Sequence, residues 1–155
     1  GKTASLLATS ARIGAIVADH SRDVVDAVTD FGHNYGMAFQ VVDDLLDVTA
    51  TDEELGKPSG NDLMEGTYTL PVIRALAGPA GDDLRSLLGG PIDSTGRDRA
   101  RELVRADGAI SSTRETAVGY LADARVAIAG LPANPAVGAM LTTCDLLVER
   151  LDRTA

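Results

Sequence analysis

Tryptophan is absent, and phenylalanine and tyrosine together contribute five of 155 residues. A core organised around large aromatic rings is therefore excluded, and Ala, Val, Leu and Ile must fill it, side chains that pack closely between helices. A single cysteine, Cys144, excludes an internal disulfide. Its neighbours in sequence offer no partner that would activate a nucleophile, so it is expected to be a small buried hydrophobe. Cations are scarce, with 14 Lys and Arg against 23 Asp and Glu and a formal net charge of -9. Neutralising a phosphate backbone takes clustered Lys and Arg, so a sequence-independent nucleic-acid surface is excluded. An anionic substrate would need help from metal ions. No apolar run reaches the ~18 to 20 residues of a transmembrane segment, and no signal-peptide pattern opens the chain; a cytoplasmic protein is expected. Strand-like alternation is missing throughout.

What remains is helical periodicity. Leu6, Leu7, Ile13, Ile16 and Val17 fall at helical spacings between Lys2 and about Asp19. Ser21 is placed to cap a second helix, whose stripe of Val24, Val25, Val28, Phe31, Tyr35, Phe39, Val42 and Leu46 continues to about Val48. From Thr49 to Pro71 the period is broken by Gly56, Pro58, Gly60 and Gly66, and one structured loop is expected; loops of this length in a compact domain are usually functional. Asp52, Glu53 and Glu54 fit a solvated acidic turn within it. Short helices are expected from Pro71 to Ala77 and from Asp82 to Leu88, then amphipathic helices over Arg97–Ala106, Ile110–Ala129 and Pro135–Arg153. The fold class is all-α, and no linker divides the chain. The opening at Gly1, inside a helical pattern and without methionine, suggests a piece of a longer protein.

Chemistry concentrates on the second helix. Gln40, Asp43, Asp44 and Asp47 are three, four and seven residues apart, so at 100° per residue they share a sector of about 100°. Carboxylates so spaced repel one another, which is tolerable where the face meets solvent or cations. Oxygen donors without His or Cys favour Mg²⁺ or Ca²⁺ over zinc. An Asp-Asp-x-x-Asp string by itself is equally an ordinary solvated face, but here Val41, Val42, Leu45, Leu46 and Val48 surround it. Lys57 follows about ten residues later among glycines, whose backbone can approach phosphate closely. Gly32 and Gly36, upstream on the helix, each cost about 1 kcal/mol relative to Ala and leave room for a ligand or for a close helix.

The stretches GMAFQVVDDLLD and GKPSGNDLMEGTYTLP resemble the second aspartate-rich region and following loop of the trans-prenyl diphosphate synthases. Phe39-Gln40, the Asp43/Asp44/Asp47 spacing, Gly56-Lys57-Pro58, Asp62-Leu63 and Thr69-Leu70-Pro71 carry the likeness. Lys2-Thr3-Ala4 is similar to that family's Lys-Thr element, although alone it is an unremarkable helix start. Gly108-Ala109-Ile110 and the terminal helices are similar to its tail, so the resemblance covers all 155 residues.

The resemblance implies that residues 1–155 are the C-terminal helices of an isoprenoid synthase helical bundle, one part of a single domain whose N-terminal half is absent. It implies Mg²⁺ held by Asp43, directly, and by Asp44 and Asp47, directly or through water. Lys2 and Lys57 would contact the diphosphate of an allylic prenyl substrate. The oxygens of Thr3 and Gln40 would stabilise the allylic cation that isopentenyl diphosphate then attacks. Thr67 departs from the family pattern, standing where a lysine is common; the cationic contact is lost there, although a threonine can still hydrogen-bond phosphate. A homodimer is implied for the complete protein. The first aspartate-rich motif is not among these residues, so no turnover is expected from this chain alone, and uncovered apolar faces favour self-association. Alternatives of other classes are a non-catalytic subunit of a heteromeric synthase and a terpene cyclase; Gly56-Lys57-Pro58 and Thr69-Leu70-Pro71 argue against the latter. Asp62 fits equally a group that orients a lysine or a metal-bound water and a local Asx-turn, whereas His33, His20 and the Arg150/Arg153 pair are more simply structural than substrate-binding.

Overall fold

A computed structural model describes residues 1–56, 58–106 and 108–153. Among these residues the secondary structure is entirely α-helical: α1 Lys2–Val17, α2 Arg22–Thr49, α3 Asp52–Leu55, α4 Asn61–Met64, α5 Leu70–Leu76, α6 Gly81–Leu87, α7 Ser94–Ala106, α8 Ala109–Ile128 and α9 Pro135–Asp152. They form two compact units, residues 1–42 with 116–153, and residues 43–115. The chain passes from the first to the second within α2 and returns within α8.

In the first unit α1 crosses α2 where α2 has no side chains. A Cβ on Gly32 would lie 2.8 Å from the Leu7 carbonyl oxygen and 2.9 Å from Ala8 Cα, and one on Gly36 would lie 2.6 Å from Ala4 Cα. The two glycines therefore serve a close helix, which settles the two roles that the sequence left open. α1 ends at a left-handed Asp19, φ 56°, and the His20 N–H donates to the Ala15 carbonyl at 3.1 Å, satisfying one of the orphan acceptors of the last turn. Arg12 of α1 and Arg22 of α2 both reach Asp26, at 3.3 and 2.7 Å. Phe31 and Tyr35 stack with ring centroids 5.8 Å apart. The start of α9 combines Pro135 in the first turn with an Asn134 cap, whose side-chain oxygen accepts the Val137 N–H at 3.0 Å. Arg125 of α8 pairs with Asp145 of α9 at 2.5 Å, and the Arg150 guanidinium lies 6.0 Å from the centre of the Phe39 ring. Cys144 is fully buried, as its small apolar character suggested, and burial pushes its thiol pKa up.

The second unit has a core of Val48, Leu63, Val72, Ala75, Leu84, Leu88, Ala100, Leu103, Val104 and Ala109. The segment expected to be one loop, from Thr49 to Pro71, contains two four-residue helices. α3 is held by a capping box: Thr51 Oγ1 accepts the Glu54 N–H at 3.3 Å, and the Glu54 carboxylate accepts the Thr51 N–H at 2.8 Å. Asp52, Glu53 and Glu54 are exposed in its first turn, as an acidic turn should be. α7 starts three residues ahead of expectation, because Asp93 Oδ1 accepts the Gly96 N–H at 2.8 Å and initiates the helix there. The Tyr68 hydroxyl donates to the Leu88 carbonyl at 2.8 Å, tying the end of the loop segment to the residue after α6.

Candidate functional site

The last two turns of α2 carry Asp43, Asp44 and Asp47. Asp43 is half-buried, whereas Asp44 and Asp47 are only 9% and 6% exposed. Burying a carboxylate is costly unless donors meet it, and for Asp47 the donors come from the following segment. The Asn61 and Asp62 N–H groups donate to its two carboxylate oxygens, each at 3.3 Å, and the Gly60 N–H donates to its main-chain carbonyl at 2.7 Å. Asp47 thus caps α4 from fourteen residues upstream, favourable both for the orphan N–H groups and for the positive end of a helix.

That arrangement carries an electrostatic penalty at the other helix. Three carboxylates sit near the C-terminus of α2, where unpaired carbonyls already create negative potential. Two arginines of α7 meet those carbonyls. Arg101 Nε donates to Val48 O at 3.0 Å, and its second nitrogen donates to Ala50 O. Arg105 Nε donates to Val48 O at 3.0 Å and its Nη2 to Thr49 O at 2.7 Å. Neither arginine was singled out from sequence; the available signal was the four-residue spacing of Arg97, Arg101 and Arg105, which aligns them on one helical face.

A second clip joins Ser59 to Asp52. Ser59 donates through both its N–H, at 2.8 Å, and its hydroxyl, at 2.5 Å, to Asp52 Oδ1. These bonds hold the Asp52 carboxyl below the usual carboxylate range, helped by Arg97 and Arg101. Lys57 itself lies outside the described residues. Gly60 adopts φ 69°, and a Cβ there would lie 2.9 Å from both Arg101 Cδ and Arg97 Cγ, so only glycine passes between Asp47 and α7. Asp62 uses its main chain twice, donating to Asp47 and accepting the Thr67 N–H at 2.7 Å; Thr67 is exposed.

In the first unit Thr3 and Gln40, 37 residues apart, are brought together: Thr3 Oγ1 donates to Gln40 Oε1 at 3.0 Å. Lys2 is exposed next to Thr3 on the first turn of α1. His33 and His20 are exposed. A cavity of about 660 Å³ lies between α1, the N-terminal part of α2 and α9, lined among others by Leu7, Val24, Val28, Phe31 and Met140. Its α2 residues project roughly 150° round the helix from Gln40, so this space is separate from the Thr3–Gln40 pair.

Among the described residues no three His, Cys, Asp or Glu side chains stand close enough to hold a metal ion between them. Asp43, Asp44 and Asp47 share a helical sector without forming a closed cage. Their donor chemistry fits a hard divalent cation whose remaining ligands are water and phosphate oxygens, the usual manner of Mg²⁺.

Known proteins give this arrangement a context. The all-α fold matches solved isoprenyl diphosphate synthases. Against geranylgeranyl pyrophosphate synthase from Corynebacterium glutamicum, complexed with calcium and isoprenyl diphosphate, the TM-score is 0.88 at 32% identity, covering 97% of this chain and 48% of that one. Polyprenyl synthase from Caulobacter crescentus, complexed with the same two ligands, gives 0.88 at 35%, covering 99% and 47%. Residues 1–105 match the polyprenyl synthetase family, and the chain belongs to it. Among curated relatives it is 37% identical over 137 residues to heptaprenyl diphosphate synthase component 2 of Geobacillus stearothermophilus, covering 88% of this chain and 43% of the relative. It is 35% identical over 152 residues to nonaprenyl diphosphate synthase of Mycobacterium tuberculosis, covering 96% and 45%. The chain therefore spans less than half the length of these relatives.

Proposed function

We propose that this chain is the C-terminal part of a trans-prenyl diphosphate synthase domain, which condenses isopentenyl diphosphate with an allylic prenyl diphosphate in isoprenoid biosynthesis. The observation that carries the reading is the end of α2: an all-oxygen donor set at Asp43, Asp44 and Asp47 whose last member is bonded directly to the segment following Lys57. Family membership and the isoprenyl diphosphate in two structural relatives support it.

In this reading Asp43, the most open of the three, would hold Mg²⁺ directly, and Asp44 and Asp47 would hold it directly or through water. When bound, Mg²⁺ supplies positive charge to the diphosphate oxygens and makes them a better leaving group. Lys2 and Lys57 bind the same diphosphate. The allylic C–O bond breaks with its electron pair leaving on the diphosphate, and the Thr3 and Gln40 oxygens stabilise the resulting cation as preorganised dipoles. The isopentenyl double bond forms the new C–C bond, and transfer of a proton from the adduct to the released diphosphate restores a double bond. The first aspartate-rich motif belongs to an N-terminal half, so the isolated 155 residues are inactive. The complete protein is a cytoplasmic homodimer.

A second reading, a subunit that requires a different partner chain, is favoured by one finding: the Geobacillus relative is named as component 2 of its synthase. Product analysis with the complete protein, Mg²⁺, isopentenyl diphosphate and farnesyl diphosphate decides between them. Chain elongation by the protein alone, abolished by chelation and reduced at least about a hundredfold by Asp43→Asn, is the expected result. Elongation only after a second chain is added establishes the subunit reading, and none under either condition overturns both.

A further inference from the structure

Four hydrogen bonds from two side chains gather on three consecutive carbonyls at the end of α2, those of Val48, Thr49 and Ala50. A helix end in contact with water does not need such treatment. Arg101 is itself buried, and burial, followed by the neighbouring charges of Arg105 and Arg97, pulls its pKa down. The three arginines along one face of α7 therefore repel one another, and the carbonyls at the end of α2 offset that repulsion together with Asp98 and Asp52.

The same arginines also bear on the segment that leads away from the carboxylates. Gly60 is confined between the Asp47 carbonyl, which accepts its N–H, and the aliphatic parts of Arg97 and Arg101. From Gly60 the main chain runs directly into the Asn61 and Asp62 N–H groups that bind the Asp47 carboxylate. α7 thus grips the terminus of α2 with guanidinium heads and presses the following segment against Asp47 with methylene stems. Arginine can serve both purposes at once because its fork is rigid and its stem apolar.

We propose that Arg101, assisted by Arg105, is a positioning residue that sets the placement of the Asp47 carboxylate and of the segment after Lys57 for binding a metal-bound diphosphate. This rests on the reading of Asp43, Asp44 and Asp47 as the metal-binding face. Partners of metal-binding groups typically change metal affinity by 10- to 100-fold when removed, and lysine, whose donors share a single nitrogen on a flexible stem, does not reproduce the rigid two-nitrogen fork that Arg101 sets on the Val48 and Ala50 carbonyls.

The test uses the complete synthase with Arg101→Lys, Arg105→Lys and a control, Arg99→Lys, whose side chain is exposed and pairs with Glu102. Two quantities are measured: hydrogen exchange of the Gly60, Asn61 and Asp62 amides in the metal-free protein, and calorimetric affinity for inorganic pyrophosphate with and without Mg²⁺. Arg101→Lys is expected to speed exchange of the three amides at least about tenfold and to weaken Mg²⁺-dependent pyrophosphate binding about tenfold, with Arg99→Lys within about twofold of wild type. Should Arg101→Lys fail to fold, Arg105→Lys, altered at an exposed side chain, is held to the same two criteria. Unchanged pyrophosphate affinity overturns the proposal even if the melting temperature falls, since the arginines are then merely structural. Unchanged amide exchange overturns it equally, since the route through residues 60–62 is then wrong. If the wild-type protein shows no Mg²⁺-dependent pyrophosphate binding, the metal-binding reading of the carboxylates fails and takes the proposal with it, an outcome distinct from a loss confined to the arginine variants.

Discussion

Thr3 Oγ1 donates to Gln40 Oε1 across 3.0 Å, joining the first turn of α1 to α2 at two residues 37 apart in sequence. The hydroxyl proton is committed to the amide oxygen. Thr3→Val keeps the shape and removes the hydroxyl. Because a partly exposed hydrogen bond contributes about 0.5–1.5 kcal/mol, the complete synthase should fold and lose no more than that in chemical denaturation. If these oxygens face the reacting carbon, kcat should fall about tenfold or more while KM stays within about threefold, a split that steady-state kinetics reads directly. An unchanged kcat removes Thr3 from the chemistry.

Gly36 and Gly138 are both helical glycines with opposite expected responses to alanine. At Gly138 a Cβ meets nothing within 4 Å, so Gly138→Ala should gain up to about 1 kcal/mol from helix propensity. At Gly36 the added carbon lies 2.6 Å from backbone, where overpacking typically costs about 1–3 kcal/mol, enough to outweigh propensity. Thermal denaturation of the two variants should show shifts of opposite sign.

A similar contrast separates Gly60 from Gly56. Both are left-handed, at φ 69° and 65°, so alanine strains either by about 1–2 kcal/mol. Gly60 also meets Arg97 and Arg101, whereas a Cβ on Gly56 meets none of the described residues within 4 Å. Gly60→Ala should therefore destabilise more than Gly56→Ala, and it alone should disturb the Asn61 and Asp62 amide resonances.

Ser59 holds Asp52 in its ionised form, so the folded pKa is lower than the unfolded one. The resulting stabilisation is present above the ordinary carboxylate pKa, about 4, and disappears as pH falls through the lower folded value. Ser59→Ala removes the hydroxyl and leaves the N–H bond, so the Asp52 carboxyl pKa, followed by NMR, should move up towards the ordinary value. The stability gap between wild type and variant should be visible at neutral pH and close in acid.

Long elements were legible in the sequence because their periodicity has room to repeat. α2 was anticipated to end within one residue of Thr49, and α8 and α9 within one residue at each end. α3 and α4 were not, since four residues hold barely one turn. For α3 the local signal existed in Thr51 and Glu54 at capping-box spacing. For α4 it did not, because the cap is Asp47, fourteen residues back and singled out for a different role. Arg101 and Arg105 escaped for a related reason: their partners are main-chain carbonyls, which leave no mark in a sequence. Thr3 and Gln40 are the opposite case. Nothing in their surroundings pairs them; only the likeness to a family placed them together, and the structure joins them.

The crossing of α1 and α2 at Ala4, Ala8, Gly32 and Gly36 has a consequence for how this protein can change over generations. Where large residues meet, an enlargement on one side can be absorbed by a reduction on the other, and the pair drifts through compensated steps. Here the obstacles to a Cβ on Gly32 and Gly36 are main-chain atoms of Leu7, Ala8 and Ala4, which no substitution removes. Neither helix holds anything in reserve to give up. The two glycines are thus closed to gradual divergence, whereas Leu6, Ile13, Ile16 and Val17, which face outward from α1 among the described residues, lie outside that main-chain constraint.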